Sequence, residues 1–157
     1  MRLKIAAVYF GILSTASLFA GSPAPLITVA HAQSVPSTEQ DAVQLIRNYY
    51  RWINQKKYAG AFAIWEMQED GRAVNGQTFE KFKSGFSDTA AVSVEIGEPS
   101  DIEGAAGSNY IEIQVVISAI NTSGKLQKFA GTYTMRSSNM ADDHSWYIYS
   151  AKVKKLE

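Results

Sequence analysis

Two periods of apolar residues divide this chain. From about Thr38 to Phe86 they recur at helical spacing, and from Ala90 onward they alternate with polar residues as strands do. Pro36-Ser37-Thr38 followed by Gln40 and Asp41 reads as a helix start, with Ser37 and Gln40 at capping-box spacing, so the first helix is expected to begin near Thr38. In it Ala42, Val43, Leu45, Ile46, Tyr49, Tyr50, Trp52 and Ile53 fill one half of the circumference, and Gln44, Arg47, Asn48, Arg51, Asn54 and Gln55 the other. So broad an apolar face suits a helix lying across a sheet. After Lys56-Lys57, Tyr58, Ala61, Phe62 and Trp65 predict a second short helix. Glu69-Asp70-Gly71 and Asn75-Gly76 punctuate a loop, beyond which Thr78 caps a third helix with Phe79, Phe82 and Phe86 on one stripe.

In the second half Val92, Val94 and Ile96 form one strand face, which Gly97-Glu98-Pro99 ends. Asp101 to Ser108 reads as a turn. Tyr110 to Ile120 makes a long strand with Ile111, Ile113, Val115 and Ile117 on one face and Glu112, Gln114 and Ser118 on the other. Asn121-Thr122-Ser123-Gly124 is a hairpin turn, from which Leu126 to Arg136 returns with Phe129, Tyr133 and Met135 on one face. Ser137 to Ser145 is a polar loop, and Trp146 to Val153 supplies the last strand. Helices followed by a meander of about four strands predict an α+β layer architecture.

Ahead of this lies a different composition. Arg2 and Lys4, an apolar run from Ile5 to Ala20, and Ala30-His31-Ala32 together have the order of an export signal, residues 1–32, with a cut after Ala32 and a periplasmic or secreted product. The run is shorter than the roughly 20 residues of a spanning helix, so no stable membrane span is expected after cleavage. Residues 33–37 are a polar lead-in and residues 38–157 one domain. Loss of Arg2 and Lys4 turns a balance of 15 basic and 15 acidic residues slightly acidic, which argues against nucleic acid as a partner. The densest basic cluster, Lys152-Val153-Lys154-Lys155, reads as a solvated tail. With no cysteine, the chain has neither a disulfide framework nor a thiol nucleophile.

Motifs of chemistry are sparse. Asp142, Asp143 and His144 fall short of the three or four converging ligands of a zinc site and read as turn chemistry, so no metal is expected. Gly104 to Gly107 lacks the spacing of a dinucleotide loop, no G-x-S-x-G stands downstream of the signal, and no cofactor is implied. Asn121-Thr122-Ser123 matches a glycosylation sequon but serves the hairpin turn.

The order of elements resembles the NTF2-like superfamily, which includes nuclear transport factor 2, ketosteroid isomerase-like and SnoaL-like proteins. Its residues here are Ala42-Val43 through Tyr49-Tyr50, Asn54 through Tyr58-Ala59-Gly60-Ala61-Phe62, Phe79-Glu80-Lys81-Phe82, and Trp146-x-Ile148. The resemblance implies a cone in which three N-terminal helices pack on a curved antiparallel sheet around a pocket. It brings Tyr50, Trp65, Phe82, Phe86, Tyr133, Met135 and Trp146 around one cavity as ligand-binding candidates. Isomerase-like members also need a carboxylate base beside a tyrosine, for which Tyr49 or Tyr50 matches. Glu112, however, alternates away from the apolar strand face. Dehydratase-like members use a His and Asp pair, and the one His beyond the signal is His144, in a loop.

The reading is therefore an exported, non-catalytic module that binds a small apolar ligand or a partner. One alternative is an isomerase or dehydratase acting on an apolar cyclic substrate, with Tyr50 as hydrogen-bond donor. Another is a component of a cell-envelope assembly. A homodimer or an envelope partner would use the outward sheet face of Tyr110, Val116, Ile120 and Leu126. N-terminal sequencing of exported material is expected to start at Gln33; an intact Met1 in a membrane fraction would mean a retained anchor instead.

Overall fold

Thr38 caps the first helix in a computed structural model that describes residues 38–140 and 143–157; the signal and lead-in expected over residues 1–37, and Asp142, lie outside the described residues. Helix α1 is Glu39–Asn54. Its capping box is formed by Thr38 and Asp41 rather than Ser37 and Gln40. The Asp41 backbone N–H donates to Thr38 Oγ1 at 3.2 Å, and Thr38 N–H donates back to Asp41 Oδ2 at 2.8 Å. Helix α2 is Tyr58–Phe62 and α3 is Phe79–Gly85, with Thr78 as the cap of α3.

The strands are β1 (Thr89–Pro99), β2 (Glu103–Ala105), β3 (Ser108–Asn121), β4 (Leu126–Ser138) and β5 (Tyr147–Lys155). They form one antiparallel sheet in the order β1-β3-β4-β5, with β2 folded back on β3. The expected turn at Asp101 to Ser108 thus contains a short strand, and the sheet has five strands where about four were expected. Ala106 and Gly107, at φ 46° and 79°, make the tight reversal that a period of two cannot register.

One face of the sheet is apolar row by row. Val94 pairs Ile117 and Ile117 pairs Phe129; Ile111 pairs Met135 and Met135 pairs Ile148. Helix α1 lies against this face, burying Ala42, Val43, Ile46, Tyr49, Tyr50 and Ile53 as its period requires. Phe82 of α3 and Phe62 of α2 complete the core. The Trp146 indole N–H ties the start of β5 to α1 by donating to the Thr38 carbonyl at 3.0 Å.

Both sheet edges are partly covered. On β1, Val92 N–H donates to Asn54 Oδ1 at 2.8 Å while Asn54 Nδ2 donates to the Val92 carbonyl, so one side-chain amide pairs like a strand residue. Beyond β5, Ile148 N–H donates to Ile64 O at 2.9 Å and Glu66 N–H donates to Ile148 O at 3.0 Å. The second helix therefore stops at Phe62, and Trp65 sits on extended chain rather than on the expected helical stripe. Capture of its backbone by β5 outcompetes another helical turn. Among the described residues no helix is long and apolar enough to cross a membrane.

Gly131 marks a close approach. A Cβ there would stand 2.1 Å from the Lys152 carbonyl oxygen and 2.6 Å from Val153 Cα, both backbone atoms of β5. Gly131→Ala is expected to destabilise the fold by about 1–3 kcal/mol through overpacking. Ile46→Ala should cost about 2–4 kcal/mol, and Arg47→Ala, on the exposed face, less than about 0.5 kcal/mol. Denaturant melts of the three variants check this, and equal effects at positions 46 and 47 would contradict the packing of α1.

Candidate functional site

Where α1 crosses the open end of the sheet, the inner faces do not close on one another. They leave a cleft of about 310 Å³ that begins beside the β3–β4 hairpin and runs inward to Tyr133. Val92 of β1, Ile117 of β3, Phe129 of β4 and Val153 of β5 wall it, with Phe86 from the end of α3. Each strand residue is there because it occupies an inward position of the alternation. Tyr49, Tyr50 and Tyr133 also line it.

Those tyrosines form the polar feature of its inner end, and Asp88, Thr89, Asn121 and Gln127 lie among the other lining residues. The Tyr50 and Tyr133 hydroxyl oxygens lie 2.7 Å apart, and both side chains are buried. The Tyr49 ring meets the other two edge-on, with centroids 5.0 and 6.2 Å away. Burial raises the pKa of all three above the ordinary tyrosine value. For Tyr50 the hydrogen bond with Tyr133 opposes part of that rise, and for Tyr49 the approach of the Trp65 indole does so. At neutral pH they are hydrogen-bonding hydroxyls, not bases.

At the rim stands Asp88, the one carboxylate among the lining residues. It accepts hydrogen bonds from Thr122 Oγ1, Thr122 N–H and Asn121 Nδ2, which lower its pKa. The acid therefore staples the β3–β4 hairpin to the chain after α3. Glu112 and Asp101 are both exposed, and Glu112 lies on the opposite sheet face.

Solved structures share this arrangement of elements. A candidate scytalone dehydratase from Novosphingobium aromaticivorans is similar with a TM-score of 0.54 at 8% identity, over 75% of this chain and 83% of its own. An NTF2-like superfamily protein from Salmonella enterica serovar Typhimurium reaches 0.51 at 12% identity, over 75% and 90%. This chain has the NTF2-like fold. A candidate aromatic ring hydroxylase from Novosphingobium aromaticivorans also shares it, at a TM-score of 0.53 and 11% identity over 75% and 88%. No family model and no curated protein matches the sequence.

Within the NTF2-like cone the candidate residues separate into three groups. Tyr50, Phe86 and Tyr133 line the cleft together. Phe82, Met135 and Trp146 are sealed in the core, Met135 fully and Phe82 with 2% exposure. Trp65 instead lines a depression beyond β5, beside Glu66, Arg136 and Tyr147. Tyr49, matched above only to the isomerase-type tyrosine, lines the cleft as well, and Val92, Ile117, Phe129 and Val153 line it without having been singled out as ligand candidates. Inward alternation marked them as apolar, but nothing in a linear pattern distinguishes a wall from a core. His144 lies outside the cleft, its Nδ1 2.8 Å from the Ser138 carbonyl oxygen, and Asp143 accepts from Ser145 N–H and Tyr147 Oη. Among the described residues no three His, Asp or Glu side chains converge.

The raised tyrosines imply an alkaline limit. The unfolded chain ionises its tyrosines near pH ~10, whereas the folded chain holds these protons longer, so their contribution is intact below that pH and is lost as pH rises above it. Stability should fall by up to about 1.4 kcal/mol per pH unit for each such tyrosine. Denaturant melts between pH 8 and 11 measure the slope, which Tyr133→Phe should make shallower; a flat profile would contradict the buried cluster.

Proposed function

We propose that the chain is an exported small-ligand-binding module, periplasmic or secreted, whose ligand is an apolar ring-sized molecule carrying a hydrogen-bond acceptor. One observation supports this reading above the others: an apolar cleft of about 310 Å³ that ends on the Tyr50–Tyr133 hydroxyl pair. That volume is within the usual range for small-molecule sites, which combine apolar walls with few oriented polar groups. Two hydroxyls joined by one hydrogen bond use one of their two protons in it. The second proton is a donor for a ligand carbonyl, hydroxyl or ether. Names of the structural neighbours, a candidate aromatic ring hydroxylase and a candidate scytalone dehydratase, fit a ring-shaped guest.

Protonation states support the non-catalytic part of the proposal. The buried tyrosines stay protonated at neutral pH because burial raises their pKa, and Asp88 is a weak base because its hydrogen bonds lower its own. An isomerase or dehydratase acting in this cleft would need one of its lining groups to take a proton. What remains is orientation of a bound molecule.

Thermal shift against a panel of uncharged aromatic and alicyclic compounds is the test. A ligand at 100 times its dissociation constant should add about 2.7 kcal/mol to stability. Ala119→Phe, at a half-buried lining position, should fill the cleft and remove the shift, and Tyr50→Phe should weaken binding about tenfold. Absence of any shift across the panel, or a shift undiminished in Ala119→Phe, would sink the reading.

A further inference from the structure

The end of the molecule where the cleft opens is basic and apolar at once. Ile120 and Leu126 pair directly across the β3–β4 hairpin, and Leu156, just past β5, donates its backbone N–H to the Lys128 carbonyl at 2.8 Å. All three side chains are exposed, Leu126 by 55%. Leu126 and Leu156 line one groove of about 430 Å³ together with Lys125, Lys128 and Lys155, and Glu157 is its one acid. Strand pairing thus brings the basic cluster at the end of β5 against the hairpin instead of leaving it a solvated tail. On the other side of the hairpin stands Lys56. Its Nζ donates to the Thr89 carbonyl, and Thr89 both pairs Asn121 and lines the cleft.

Charge is polarised along the whole fold. Glu39 and Asp41 open α1, whereas Lys56 and Lys57 follow its end; Asp101 and Glu103 precede β3 and Asp143 precedes β5, at the sheet end away from the hairpin. Beside the cleft mouth, the acids among the described residues are Glu157 and Asp88, and the Asp88 carboxylate is occupied by Thr122 and Asn121.

We infer that this end docks on the surface of a bilayer containing anionic phospholipid, with Ile120, Leu126 and Leu156 entering the headgroup layer and the lysines around them meeting lipid phosphates. Burial of the aliphatic side chains and attraction of the lysines add to one another at such a surface. The polarity of the fold turns the hairpin end toward it and the acidic end away. On the ligand-binding reading above, docking sets the mouth of the cleft against lipid, the phase in which an apolar ligand dissolves best.

Composition separates a bilayer from other anionic partners. A nucleic acid would engage the lysines but leave three apolar side chains in water. Protein interfaces are enriched in aromatic residues and Arg and depleted in Lys, whereas this groove is lined by lysines and leucines with neither an aromatic residue nor Arg. A fluid headgroup layer accepts protruding aliphatic side chains without a preformed pocket, and long lysine stems let the ammonium groups reach phosphates while their methylenes cover apolar surface.

Co-sedimentation with vesicles tests the assignment. The form starting at Gln33 is used, because it carries all the described elements and their core and lacks the apolar run of residues 5–20, which would bind lipid by itself. It is expected to sediment with vesicles of equal parts phosphatidylglycerol and phosphatidylcholine but not with phosphatidylcholine alone, and less as salt rises. Lys125→Gln and Lys155→Gln should each weaken binding about fivefold, and Leu126→Ser about tenfold, with melts unchanged because all three positions are exposed. Arg47→Gln removes the same charge from the exposed side of α1 and should leave binding within about twofold. No ligand is added, so docking is read separately from the content of the cleft. Equal binding to neutral vesicles, no binding to anionic ones, Arg47→Gln as damaging as Lys125→Gln, or Leu126→Ser without effect would overturn the inference. Binding to polyglutamate as tight as to anionic vesicles, and indifferent to Leu126→Ser, would assign the surface to an acidic protein instead.

Discussion

Everything in this structure depends on helix α1 lying across the inner face of the sheet. Neither element could bury its apolar side alone: the helix offers Ile46 and Ile53, which have no exposed surface, and the sheet offers Ile111, Ile113 and Val115. Their contact removes both faces from water in one step, which is the main favourable term available to a chain without disulfides. It also sets the phase of the helix. With Ile46 and Ile53 directed at the sheet, Tyr49 and Tyr50 must point toward β4, where Tyr133 meets them.

The sheet is adapted to this helix by particular residues rather than by general twist alone. Gly131 lets the β5 backbone come where a Cβ would otherwise stand, and an extra residue, Tyr149, lies opposite the Thr134–Met135 step, where such bulges increase local bending. The edges are handled as economically. Asn54, the last residue of α1, completes hydrogen bonds on β1 that another chain could otherwise use, and the segment after α2 does the same for part of β5.

The cleft is what remains where this packing stops. The apolar walls close fully around Phe82 and Met135, and they stay apart toward the β3–β4 hairpin, where Asp88 anchors the turn. One end of a continuous core therefore becomes a cleft, and the strand side chains that wall it belong to the same alternating series as those that fill the interior. The opposite sheet face has its own logic, since its polar positions are sorted by sign across the strands, Glu95 and Glu112 on β1 and β3 against Lys128, Lys152 and Lys154 on β4 and β5. Inner and outer surfaces of one sheet thus present different chemistries.

Much of this architecture was legible in the residues. The helical phase of α1, the inward and outward faces of β3 and β4, the hairpin at Asn121 to Gly124 and the cap at Thr78 follow from local periods and turn chemistry, because those forces act over a few residues. The end of α2 at Phe62, the β2 hairpin and the displacement of Trp65 were not legible, since each arises from pairing with a distant strand. The sequence by itself determined which side chains must leave water and that helices precede a sheet. Only the tertiary structure decided that Tyr50, Phe86 and Tyr133 share a cleft while Phe82, Met135 and Trp146 are sealed away. Hydrophobic patterning specifies that a residue is buried; whether it touches another side chain or an empty volume depends on how two curved surfaces meet.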